Sequence, residues 1–164
     1  MNNHEKKYED YTIEFKEKMK ELLKAPRLAI NELFSIGKSE KTILKQLKLP
    51  QKDFKGLYVF WESETAVYVG ISKNVIRRLV QHIKGTTYHS STLPIKILKM
   101  DDENAYGKLG RKEFTSEILK LVQYGKIQKM KISFISIDDD VELYLFEVYC
   151  AIELDCRYNT FETH

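Results

Sequence analysis

Glu147 has the most conspicuous surroundings in the chain. Within residues 143–152 (LYLFEVYCAI) the other nine side chains are apolar or aromatic, and a helix apolar on nearly every side is expected to be largely buried. An ionised carboxylate there is unfavourable by on the order of several kcal/mol unless a cation faces it. A buried ion pair with Arg or Lys, a metal ligand and a catalytic acid all meet that condition. Arg78 and His82 are four residues apart, so on a helix they project from one side. They could grip a phosphate and handle a proton, or they could form a solvated surface pair. His89, beside Tyr88 in a polar stretch, is a lesser candidate, and His4 and His164 are terminal. Tyr58 and Tyr68 are each flanked by apolar residues, and strand packing accounts for either one taken singly. Asp138, Asp139 and Asp140 suggest a metal site. Acids at a helix start also cap backbone N–H groups and suit the macrodipole, and capping is the expected role.

These groups need a scaffold. Residues 8–24 predict an amphipathic helix with Ile13, Phe15, Met19, Leu22 and Leu23 near helical spacing. After Pro26 a short helix is expected over 27–34, closed by Gly37. Another follows over 40–47, with Ser39 as N-cap and an end before Pro50. Residues 56–61 (GLYVFW) and 66–71 (AVYVGI), separated by a polar tetrapeptide, carry a β-hairpin signature. Ser72 or Asn74 can cap a helix running to Lys84, stopped by Gly85. Residues 86–129 are polar and mostly helical in pattern, best over 93–100 and 111–124. Residues 131–137 (KISFISI) alternate, predicting a third strand with one wet face. The acids at 138–140 open a final helix to about residue 154. The fold class expected is α/β (α+β): a three-stranded antiparallel sheet flanked by helices. Residues 1–52 form an N-terminal helical extension and residues 53–164 the main domain, with a basic helical insertion at about 86–129.

A length of 164 residues suits one domain, and 43% hydrophobic with 31% charged residues excludes a disordered chain. No apolar run approaches the roughly 20 residues of a membrane helix. The first 24 residues contain no signal-peptide core. Cys150 and Cys156 have no metal spacing. A reducing, cytoplasmic setting is expected. Charge is unevenly spread: residues 73–131 hold thirteen Lys and Arg against five acids, and residues 138–162 hold eight acids against one Arg. The basic stretch could neutralise nucleic-acid phosphates or form solvated helix faces.

Gly56-Leu57-Tyr58 and Tyr68-Val69-Gly70, with nine residues between them, resemble the paired tripeptides of the GIY-YIG nuclease superfamily. Arg78 falls ten residues after Tyr68, His82 one helical turn later, Glu147 on a late helix and Asn159 twelve residues beyond it. That order is similar to the superfamily's catalytic Arg, the His of restriction-enzyme-like members, the metal-binding Glu and the later Asn. The match lies in residues 56–84 and 131–161, and the segment between resembles a family-specific insertion. Leu57 and Val69 each replace Ile. Ile71 stands where many relatives carry Lys or Ser, leaving Lys73 or Arg77 to compensate.

The resemblance implies a metal-dependent DNA endonuclease that hydrolyses phosphodiesters with one metal ion, Mg²⁺ or Mn²⁺, held by Glu147. Arg78 would stabilise the transition state, Tyr58 would orient or deprotonate the water with help from His82 or the metal, and Tyr68 would hold water or phosphate. Asn159 would brace the site through backbone hydrogen bonds. Lys73, Arg77, Lys84, His89, Arg111 and Lys112 are the candidate nucleic-acid contacts. The partner expected is DNA, with RNA also open and no membrane, and the chain acts as a monomer or homodimer. The alternative is an inactive nucleic-acid-binding module that keeps the fold. A third reading makes residues 1–50 a regulatory or partner-binding element.

Overall fold

A computed structural model describes residues 6–35, 38–49 and 52–161. Helix α1 spans Tyr8–Lys24 and buries Tyr11, Phe15, Met19 and Leu22 along one stripe. Ile13, expected on that stripe, is exposed because it lies two residues, or about 200°, past Tyr11; Leu23 is exposed too. The helix expected over 27–34 shrinks to α2, Ile30–Leu33, and Leu28–Ala29 forms a strand instead, β1. Helix α3, Glu40–Gln46, starts as the sequence predicts, with Ser39 Oγ accepting the Thr42 N–H at 3.2 Å. The stops expected at Gly37 and Pro50, and His4 and His164, lie outside the described residues.

Strands β2 (Gly56–Glu62) and β3 (Thr65–Ser72) form the hairpin. With β4 (Lys131–Ser136) they make an antiparallel sheet in the order β1-β4-β2-β3. The sheet thus has four strands rather than three. Leu28 and Ala29 pair with Ile132 and Lys131, giving the outer edge of β4 a backbone partner. Helix α1 packs over one face of β4 and the helices of the other core cover the opposite face, so the expected wet face is absent. Ser133 is buried and accepts the Trp61 Nε1–H at 2.8 Å, which satisfies both polar groups.

Helix α4, Val75–Lys84, takes no cap bond from Asn74. Asp53 supplies the cap, its carboxylate accepting the N–H groups of Ile76 at 3.0 Å and Arg77 at 2.9 Å. Then come α5 (Thr92–Asp101), a π-helical turn (Glu103–Gly107), a 3₁₀ turn (Arg111–Glu113) and α6 (Ser116–Gly125). The helix expected over 111–124 is split because Thr115 caps α6 afresh. Helix α7, Asp140–Glu153, follows the N-cap Asp139, whose carboxylate accepts the Glu142 N–H at 2.8 Å.

Alternation along β2 sorts side chains onto the two faces of the sheet. Tyr58, Phe60 and Ile132 join a core with residues of α2–α6. Leu57, Val59 and Trp61 join a second core with α1 and α7. Residues before position 53 therefore contribute to both cores, because each sheet face needs an apolar cover. No helix among the described residues is long and apolar enough to cross a membrane.

Candidate active site

Hairpin register sets the first part of the site. Tyr58 pairs with Gly70 and Phe60 with Tyr68, so the two tyrosines sit diagonally on one face, ring centroids 6.4 Å apart. The Tyr58 ring lies across the backbone of Gly70: a Cβ there would come within 2.4 Å of the phenol oxygen. At Gly56 a Cβ would come within 2.1 Å of the Ile135 carbonyl oxygen. Both tripeptide glycines thus answer a close approach, by a side chain in one case and a backbone in the other.

Helix α4 brings the next two groups over that face. His82 is fully buried, which excludes a solvated surface pair with Arg78. Its Nε2 lies 2.9 Å from Tyr58 Oη, and its Nδ1 accepts the Leu93 N–H at 3.4 Å. Burial, then the charges of Arg78 and Lys96, push its pKa well below the usual histidine range, so the ring is neutral at pH 7. Arg78, one turn earlier and half-buried, donates from Nη1 to Gln81 Oε1 at 3.0 Å and from Nη2 to Thr92 Oγ1 at 2.9 Å. Two anchors on separate nitrogens hold the guanidinium plane in place. Burial drives the Tyr58 phenol well above its ordinary pKa, with Tyr68 adding to the rise and Arg78 opposing it. Burial and the Glu147 charge push Tyr68 up to about 12, again opposed by Arg78.

Glu147 arrives from the other side of the sheet. Helix α7 packs against β3, the edge strand, and Glu147 lies on the same helical stripe as buried Leu143 and Ala151. Its carboxylate is half-buried, and its charge is felt by both phenols. Burial raises its pKa, with Lys96 pulling the other way. The helix around it is less enclosed than its composition predicts. Tyr144, Val148 and Ile152, four residues apart, are 65%, 42% and 64% exposed, because α7 has the sheet on one side and α1 on another.

Asn159 reaches β3 from the C-terminal segment. Its Nδ2 donates to the Val69 carbonyl and its Oδ1 accepts the Val69 N–H, both at 2.8 Å. One side-chain amide thereby does the work of a neighbouring strand at the sheet edge, one residue from Tyr68 and one from Gly70.

The most central group that sequence reasoning missed is Lys96 on α5. Its Nζ stands 5.6 Å from the Tyr68 ring centroid, and its charge acts on both His82 and Glu147. Thr92 and Gln81, which hold Arg78, were missed as well. Nothing in the local sequence separates Lys96 from other helix-face lysines; only the docking of α5 onto α4 gives it this place.

The basic candidates divide. His89 and Arg111 line a groove of about 420 Å³ together with Thr92, Lys96 and Lys99. Lys112 is exposed in the same 3₁₀ turn as Arg111. Arg77 is exposed on the first turn of α4. Lys73, in the turn before α4, is exposed and acts on Asp140, a residue paired with Lys55 at 3.0 Å. Lys84 points elsewhere: its Nζ donates to the Ser35 carbonyl at 3.0 Å, beside a separate hollow formed with Asn31, Phe34 and Tyr124.

One half-buried carboxylate, its charge felt by two phenols, suits a hydrated Mg²⁺, which keeps several waters and takes substrate phosphate oxygens. A cage of three or more His, Cys, Asp or Glu is absent among the described residues. Comparison of the chain with protein-family models, with curated proteins and with solved structures finds no match in any of the three.

Proposed function

We propose that this chain is a metal-dependent DNA endonuclease of the GIY-YIG type that hydrolyses phosphodiester bonds. The observation that supports it most is the gathering of Tyr58, Tyr68, Arg78 and His82 on one sheet face, with the charge of Glu147 on α7 acting on both phenols. In this reading β2, β3 and β4 are the three strands of the GIY-YIG fold, and β1 is an addition at the edge.

Each residue then has a task. Arg78, steadied by Gln81 and Thr92, presents fixed positive charge to the scissile phosphate and to the charge that grows in the transition state. Tyr58 orients the attacking water from a rigid strand. The neutral His82 ring has one proton, and Leu93 N–H already occupies Nδ1, so the proton sits on Nε2 and points at Tyr58 Oη. His82 therefore helps by stabilising negative charge on Tyr58 as a donor, not by taking its proton. Tyr68, in contact with Tyr58, holds the phosphate or the water between them. Lys96 adds positive charge beside Tyr68. A Mg²⁺ or Mn²⁺ ion held by Glu147 would polarise the phosphate and stabilise the leaving oxygen.

Incubation of supercoiled plasmid and a panel of labelled DNA and RNA structures with Mg²⁺ or Mn²⁺ tests the proposal. Metal-dependent nicking is expected, lost in Arg78→Ala and Glu147→Ala. Undiminished cleavage by either variant would overturn its assigned role. The height of both tyrosine pKa values favours the second reading, a binding module without activity; salt-sensitive DNA binding with no cleavage under either ion would establish it.

A further inference from the structure

Apart from Thr160, the groove beside the site is built by a part of the chain with no place in the resemblance. Lys96 and Lys99 are one turn apart on α5 and line it, with Lys99 Nζ donating to the Gly107 carbonyl at 3.4 Å; Arg111 comes from the 3₁₀ turn and His89 from the segment before α5. No carboxylate is among its lining residues. An aromatic pair, Tyr88 against His89 with ring centroids 3.9 Å apart, stands on its rim. The groove is also continuous with the site, because Thr92 both lines it and holds Arg78.

We infer that this groove is a track for the nucleic-acid strand that flanks the scissile phosphate: Lys96, Lys99 and Arg111 neutralise successive phosphates, and His89, the exposed ring of the pair, backed by Tyr88 from the core, offers its face to a base. The inference rests on the proposed nuclease reading and extends it by giving the substrate a direction, away from Arg78 along α5. Positive side chains following a channel, with an aromatic ring to stack on, are what single-strand binding requires. A volume of about 420 Å³ is in the range of pockets that enclose small organic groups (roughly 300–1,000 Å³), so the track suits an unpaired flank better than a duplex. An acidic peptide would use the lysines and leave the aromatic pair idle.

Binding of fluorescein-labelled single-stranded and duplex oligonucleotides, followed by anisotropy against salt in EDTA, separates this inference from the reading beneath it. Each phosphate contact contributes about 0.7 to the slope of log K against log salt for a single strand and about 0.9 for a duplex. The variant Lys99→Gln/Arg111→Gln should therefore lower the single-strand slope by about 1.4. Arg111→Gln alone should lower it by about 0.7, and being exposed in a surface turn it leaves the fold intact. His89→Ala, at an exposed ring, should weaken single-strand binding more than duplex binding. Unchanged slopes in both charge variants, with the unsubstituted protein binding DNA, would overturn the track and leave the nuclease reading standing. Failure of the unsubstituted protein to bind any oligonucleotide, with binding of an acidic peptide instead, would overturn both.

Discussion

Tyr58 Oη and His82 Nε2 meet at 2.9 Å, with the two side chains 1% and 0% exposed. Burial takes both rings out of bulk water, so each needs a fixed partner, and the pair links the hairpin to α4 and, through Leu93, to α5. The arrangement requires a neutral ring. Protonating it would put a second donor on Nδ1, facing the Leu93 N–H, beside the charges of Arg78 and Lys96.

Acid should therefore loosen the fold through this residue. His82 is held well below its ordinary pKa of 6.5, so the unfolded chain takes up a proton that the native chain refuses. Stability is full above about pH 6.5 and declines as the pH falls below it. Calorimetry between pH 7.5 and 5 should show this decline in the unsubstituted protein and a shallower one in His82→Gln.

Gly70→Ala should destabilise the protein by about 1–3 kcal/mol, because the new methyl group must displace the Tyr58 ring. Any nuclease activity should fall with it. Gly125→Ala is the contrast. Nothing lies within 4 Å of a Cβ at that position, and the change should be neutral or stabilise by up to about 1 kcal/mol. Urea unfolding of the two variants checks both directions.

Glu147→Gln should raise thermal stability at pH 7 in EDTA and abolish metal-dependent cleavage. Burial lifts the carboxyl's pKa, so its favourable contribution exists at low pH, in the protonated form, and is lost as the pH rises through the raised value. The gain from Gln should accordingly shrink between pH 7 and pH 4. A variant less stable than the parent at pH 7 would contradict this account.

Asn159→Ala removes both bonds to Val69. A cost of about 1–3 kcal/mol follows if the freed backbone groups stay shielded. Hydrogen exchange at the Val69 amide should accelerate ahead of amides in β2.

Arg78→Lys keeps the charge and loses the two-nitrogen anchorage to Gln81 and Thr92. If cleavage depends on that fixed fork, kcat should fall by about 10²–10³, with little change in melting temperature.

The order of amino acids was enough for the local elements: the α1 stripe, the hairpin, the Ser39 cap and the course of α4 and α7. Each follows from periodicity or from a cap within a few residues, interactions a linear chain displays directly. It also displayed the two glycines and the acid among apolar neighbours. Whatever depends on distant partners was settled by the packing of the elements. Leu28 and Ala29 became a strand because β4 had a free edge, and Asp53 capped a helix 23 residues away. Ser133 went dry once α1 and α7 covered its face of the sheet, and Lys84 turned to Ser35. Lys96 reached the phenols only because α5 docks beside α4. Burial and charge at a point in space are sums over all the elements packed around it, so no short window of sequence contains them.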